Sequence, residues 1–147
     1  MNVKLKLTRG MSAPEYATPG SAAVDLRAAL EENEVVTLAP GGRALIPTGL
    51  AISPESSGYV AIIAARSGLG IKKGVSLSNG IGVIDSDYRG EIMVALHNHG
   101  GIPQTIEHGE RIAQMVIAPF LKADYEIAEE LGDTARGAGG FGSTGTK

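Results

Sequence analysis

Apolar and polar positions alternate from the start of the chain. Val3, Leu5 and Leu7 are interleaved with Lys4 and Lys6, a period of two that predicts a half-buried strand. Further short runs rich in Val and Ile, bounded by Gly, Pro or Asn, predict strands at Val35–Leu38, Arg43–Ile46, Tyr59–Ala64, Glu91–Leu96 and Arg111–Ala118. No stretch holds a 3.6-residue period with caps, and the best helical pattern, Tyr125–Leu131, is too short to matter. Many short strands at regular spacing predict an all-β sandwich or barrel. The rhythm breaks twice. Between Arg66 and Arg89 glycines crowd in at 68, 70, 74, 80 and 82. From Gly132 to Lys147 six of sixteen residues are glycine and almost none is a core former. That tail cannot bury enough apolar surface to order itself, so it is either a fraying end or an arm that orders on binding.

Length and charge narrow the classes. A chain of 147 residues is one domain, able to bury a core without cross-links. The absence of cysteine excludes disulfides, thiolate metal sites and a Cys nucleophile. Thirteen basic against sixteen acidic residues, a net charge of -3, leaves no basic stripe for nucleic acid. No apolar run is long enough for a membrane, and the alternating N-terminus is unlike a signal peptide, which points to the cytoplasm.

Three segments carry candidate chemistry. In "RGAGGFGSTG" the glycines let backbone N–H groups turn toward one anion, Ser143 and Thr144 add hydroxyls, Arg136 adds a charged fork, and Phe141 offers a ring for stacking. In "ARSGLGIKKG" the run Arg66-Ser67-Gly68 sets a guanidinium, a hydroxyl and an unhindered N–H together at a strand end, a phosphate-binding corner or an ordinary polar turn. In "NGIGVIDSDYRG" Asp85 follows apolar residues, where partial desolvation suits a general base, while Tyr88 offers a flat face and Asn79 a donor and acceptor for a base edge. The alternative is that these acids bond only their own turn. Asp25 and Gln114 are single polar residues in apolar surroundings and need partners, structural or ligand. His97 and His99 share a face if their segment is a strand, and read as surface strand residues.

In order, "GSAAVDLRA", "ARSGLGIKKG", "NGIGVIDSDYRGE", "GERIAQMVI" and "RGAGGFGSTG" resemble the five motifs of the trimeric deoxyuridine triphosphatases (dUTPases). The resemblance runs from about Tyr16 to the last residues. Ala65 stands where the second motif usually has Pro, and Ala23 where the first usually has Gly. The resemblance implies an all-β jelly-roll barrel, here residues 1–131, with a flexible glycine-rich arm, residues 132–147, closing over the site. It implies a homotrimer with sites built from more than one subunit. It also implies hydrolysis of dUTP to dUMP and pyrophosphate with Mg2+ on the triphosphate, limiting uracil incorporation into DNA and supplying dUMP for thymidylate synthesis.

By position in the motifs, Asp85 would activate the attacking water and Tyr88 would pack under the deoxyribose. Asn79 would read uracil, with Phe141 stacked on it. Arg66, Ser67, Gly68 and Gln114 would hold the phosphates, and Arg136, Gly142, Ser143 and Thr144 would close over them. Asp25 would support this region at one remove, with no direct protein ligand to the metal. No nucleic-acid or membrane partner is implied. The alternatives are a dCTP deaminase, a dUTP-sensing module without catalysis, and a structural jelly roll. Ammonia release from dCTP would mark the first. Asp85 and the arm argue against the second, and Arg136 and Phe141 against the third.

Overall fold

The computed structural model describes residues 1–140. Eleven strands and one short helix follow in the order β1 (Val3–Leu7), β2 (Val24–Arg27), β3 (Val35–Leu38), β4 (Arg43–Pro47), β5 (Leu50–Pro54), β6 (Tyr59–Ala64), α1 (Ser67–Lys73), β7 (Val75–Leu77), β8 (Gly82–Ile84), β9 (Met93–Asn98), β10 (Gln104–Glu107) and β11 (Arg111–Pro119). Every ladder is antiparallel. Among the described residues the strands form four groups: β2-β11-β6-β8, β4-β9-β7, and the ribbons β1-β5 and β10-β3. This is an all-β fold of the jelly-roll kind. The expected strands are present, with the run read as Glu91–Leu96 shifted to Met93–Asn98.

Alternation explains the layering. In β9, Val94, Leu96 and Asn98 are buried while Met93 is exposed, and in β11 Ile112, Ala113 and Met115 are buried. They meet Leu26, Leu38, Ile46, Ile63 and Ile106 in one apolar core. Asn98 is the polar exception, fully buried. Its amide N–H groups donate to the carbonyls of Leu38 (2.9 Å) and Ile102 (2.8 Å), and its oxygen accepts from the Gly100 N–H (2.9 Å). It thereby ties three loop and strand ends together.

Two expectations need correction. β1 is not half-buried: Leu5 and Leu7 remain exposed, because a strand paired only with β5 satisfies its backbone without covering its apolar side. A helix forms where none is predicted. Arg66 is extended, Gly74 takes the left-handed conformation (φ 66°, ψ 21°) that ends the helix, and Leu69 is its buried residue. Seven residues containing Gly68 and Gly70 are too few and too glycine-rich to show a period. Gly74 also lies against Gly100, whose Cα a side chain at 74 would meet at 3.1 Å. Tyr125–Leu131, too short a pattern to predict a helix, forms none. Just past β11 the Phe120 N–H still donates to the Gly58 carbonyl (3.0 Å). From Leu121 to Leu131 the chain is exposed throughout.

Candidate functional site

The four-stranded sheet gathers one group of polar residues. Gln114 on β11 stands opposite Asp25 on β2 and opposite Ala64 on β6, so Asp25 and Gln114 share a face. Two residues beyond Ala64 the chain is still extended, and Arg66 turns back across this face. Its Nε donates to Asp25 Oδ1 at 2.6 Å. Arg111, at a register shift in β11, donates from Nη1 to Asp25 Oδ2 at 3.2 Å. Gln114 Nε2 donates to the Ala65 carbonyl (3.0 Å), fixing the chain just before Arg66. Asp25, Arg66, Arg111 and Gln114 line a cavity of about 480 Å³. A larger one of about 620 Å³ lies between residues 10–17 and β2 and shares Asp25 and Arg111.

One carboxylate spanning two guanidiniums sets Arg66 and Arg111 beside the open cavity, which Glu15 also lines. Ser67 and Gly68 are exposed in the first turn of α1, next to Arg66. At the other end of that helix, Lys73 Nζ reaches Glu110 Oε1 at 2.6 Å, tying α1 to the start of β11. Such a set of donors suits a multiply charged anion.

The other predicted residues gather elsewhere. Asp85 and Tyr88 line a third cavity, of about 210 Å³, with Val83, Ile84, Glu91, Ile92 and Met93. The loop from Asp85 to Tyr88 is a turn, closed by the Tyr88 N–H on the Asp85 carbonyl (3.1 Å). Tyr88 is partly exposed, and its hydroxyl donates to the Glu91 carbonyl (3.0 Å). A side chain at Gly90 would collide with the Tyr88 ring, so the ring lies on bare backbone. Asp85 is exposed, so the desolvation expected of it is not supplied within the single chain. Asn79 is also exposed, at the turn into β8.

The register separates the two groups. β8 runs antiparallel to β6 and its last residue, Ile84, pairs with Ala61, so the chain enters Asp85 heading away from Arg66, which lies about six residue spacings back along β6. At about 3.3 Å per residue that is roughly 20 Å.

Arg136 is not brought to either group through its recorded bonds. It sits in a turn, where its Nε donates to the Gly139 carbonyl (3.0 Å). Phe141, Gly142, Ser143 and Thr144 lie outside the described residues. His97 and His99 pack with ring centroids 4.0 Å apart, and His99 Nε2 is 2.8 Å from Ser76 Oγ. Partial burial, then the neighbouring His99 and Arg43, hold the His97 imidazole below its ordinary value, against a bond to the Gly41 backbone. Arg111 and Glu91 are missed by the reading of the sequence. Asp25 held the signal for Arg111, since an acid in an apolar strand needs cations on its neighbours.

Fold and site together define a small all-β protein with an arginine–carboxylate corner on an open cavity and a separate carboxylate–aromatic pocket. The dUTPase family model matches residues 9–145, and the chain belongs to that family. The deoxyuridine 5'-triphosphate nucleotidohydrolase of Hahella chejuensis is 54% identical over 142 residues, covering 97% of this chain and 92% of the relative. That of Desulfitobacterium hafniense strain DCB-2 is 50% identical over 148 residues, covering 99% and 97%. Among solved structures, the Staphylococcus bacteriophage 80alpha dUTPase with dUPNHPP superposes with a TM-score of 0.85 at 29% identity, covering 98% of both chains. The dUTPase of Streptococcus mutans does so at 0.71 and 30%, covering 82% of this chain and 98% of that one.

Proposed function

We propose that this chain hydrolyses dUTP to dUMP and pyrophosphate at sites assembled between copies of itself. Family membership supports the reaction class. The observation that carries the finer reading is the division of the polar residues into two groups, with Arg66, Asp25 and Gln114 in one and Asp85 and Tyr88 in the other. Roughly 20 Å is too far for one triphosphate's reacting phosphorus to meet both within a chain. A second copy would bring its Asp85 to the first copy's Arg66, and a homotrimer satisfies this for every site.

In that assembly Arg66, Ser67, Gly68 and Gln114 hold the phosphates, and Asp25 fixes the direction of Arg66. Asp85 takes a proton from the water that attacks the α-phosphorus, and pyrophosphate leaves in line. The exposure of Asp85 in the single chain agrees with a base whose dry surroundings arrive with its partner. Tyr88 lies under the deoxyribose and leaves no room for a 2′-hydroxyl, while Asn79 reads uracil. Arg136, Gly142, Ser143 and Thr144 close over the phosphates and Phe141 stacks on the base, making residues 132–147 the arm of the site and 1–131 its frame.

Magnesium fits as a companion of the substrate. Both oxygens of Asp25 are already engaged by guanidinium N–H groups, so phosphate oxygens and water would hold the ion. Bound there, it draws charge from the triphosphate. The location proposed is the cytoplasm; no helix among the described residues is long and apolar enough to cross a membrane.

The test is pyrophosphate release from dUTP, dTTP, dCTP and UTP, each with and without magnesium, on wild type and on Arg66→Ala and Asp85→Asn. Each variant alone loses activity by orders of magnitude. Unfolding and refolding the two together restores a measurable fraction, because some sites then take a good residue from each parent. Failure of the mixture to recover would return the whole site to a single chain.

A further inference from the structure

Arg9, Gly49 and Glu91 come from three distant parts of the chain and meet at one carboxylate. Glu91 Oε1 accepts the Gly49 N–H at 2.7 Å, and Arg9 Nε donates to both oxygens at 3.2 and 3.4 Å. The two partners hold unusual backbone to do so. Gly49 has φ 67° and Arg9 has φ 54°, the latter in a region that non-glycine residues seldom enter. The strand ends around them are cross-bonded as well: Thr8 N–H donates to the Gly49 carbonyl (2.8 Å), and Ile92 N–H to the Leu50 carbonyl (2.8 Å). The buried Thr48 hydroxyl donates to the Ile92 carbonyl (2.7 Å). Glu91 is therefore held to the join between β4 and β5 through its side chain, while the next residue is held through its backbone.

The same residue carries the support of Tyr88. The phenol hydroxyl donates to the Glu91 carbonyl (3.0 Å), and the ring lies over Gly90, where any side chain would collide with it. Tyr88 otherwise sits on an exposed turn, and a partly exposed ring on a turn needs a fixed anchor to exclude a group as small as a hydroxyl.

We propose that Glu91, clamped by Arg9 and the Gly49 N–H, is a positioning residue that sets the Tyr88 platform and thereby the preference for deoxyribose over ribose. This rests on the reading of Tyr88 as the sugar platform. Glu91 does not touch the substrate in this scheme. Its carboxylate fixes its own backbone, and its carbonyl fixes the phenol.

The experiment measures kcat and KM for dUTP and UTP on wild type, Glu91→Ala, Glu91→Gln, Arg9→Met and, as control, Tyr88→Ala, with the melting temperature of each. Glu91→Ala lowers the dUTP-over-UTP preference by about fivefold or more, expressed in KM more than in kcat. Glu91→Gln keeps an amide oxygen for the Gly49 N–H and recovers most of the preference. Arg9→Met, at an exposed position, shifts the preference the same way by a smaller factor and carries the test if Glu91→Ala does not fold. Folded variants with a lowered melting temperature but the wild-type preference would make the clamp structural only and overturn the proposal. A Tyr88→Ala enzyme that kept its preference would instead remove the sugar reading, and the proposal with it.

Discussion

Replacing Asp25 by Asn keeps the shape of the side chain and removes the charge that faces two guanidiniums. With aspartate, Arg66 makes a 2.6 Å bond and Arg111 a 3.2 Å bond to separate oxygens. Hydrogen bonds to a charged group contribute about 1.5–3 kcal/mol and neutral ones about 0.5–1.5. Asparagine keeps one acceptor for Arg66 at the lower value and turns an NH2 toward Arg111, donor against donor. The nominal loss is about 3 kcal/mol. Asp25 and Arg66 are 25% exposed and Arg111 49%, so screening by water brings the figure to about 1.5 kcal/mol. For a domain of this length that lowers the melting temperature by about 3–6 °C. The catalytic signature follows from the orientation of Arg66. A fork that samples several directions binds phosphate less well, raising KM for dUTP about tenfold, the equivalent of 1.4 kcal/mol. The added net positive charge pulls the other way at long range, so the assay belongs at 0.15 M salt, where the Debye length is about 8 Å. Scanning fluorimetry and steady-state pyrophosphate release suffice. An Asp25→Asn protein with wild-type melting temperature and KM would refute the idea that this carboxylate orients Arg66.

Asn98→Asp replaces two buried donors with a buried charge and leaves the Leu38 and Ile102 carbonyls unpaired; a loss of about 3–5 kcal/mol is expected in urea titrations. His97 binds its proton more weakly in the folded chain than in the unfolded one, so stability falls as the pH drops through the ordinary value of 6.5 and levels off once folded His97 is also protonated. His97→Gln should flatten that part of the melting profile between pH 7.5 and roughly 5. Deleting residues 132–147 leaves a folded body, by circular dichroism and melting temperature, with little dUTP turnover, because the packed strands end at Pro119.

Much of the fold could be read in advance because strands announce themselves two residues at a time. Val35–Leu38 and Tyr59–Ala64 are bounded as predicted, and the alternation in β9 and β11 marks their buried faces. The helix α1 was hidden because its stability comes from its ends, the extended Arg66 and the left-handed Gly74, rather than from a repeating apolar face. For the candidate site, Arg66, Gln114, Asp85 and Tyr88 stood out through the resemblance of five ordered motifs, since each segment alone also fits an ordinary turn or a structural partner. What they could not convey is that Asp25 answers to two arginines, one of them on a strand eighty-six residues away. Partners of that kind are set by sheet register, which depends on every strand between them. The Arg9–Glu91 contact was invisible for the same reason, being eighty-two residues apart with an unusual backbone angle at one end.

The stretch beyond Phe120 has a practical meaning for anyone handling the protein. Lys122 and Arg136 are exposed on chain that has left the packed body, with Leu121, Tyr125, Ile127 and Leu131 fully open around them. To trypsin, this is an invitation. A lone chain would be clipped at Lys122 quickly, leaving a resistant fragment that ends there. If neighbouring copies cover the apolar row, the same bond becomes slow to cut as concentration rises. The digestion rate at that single lysine would then serve as a gauge of how many chains have found their partners.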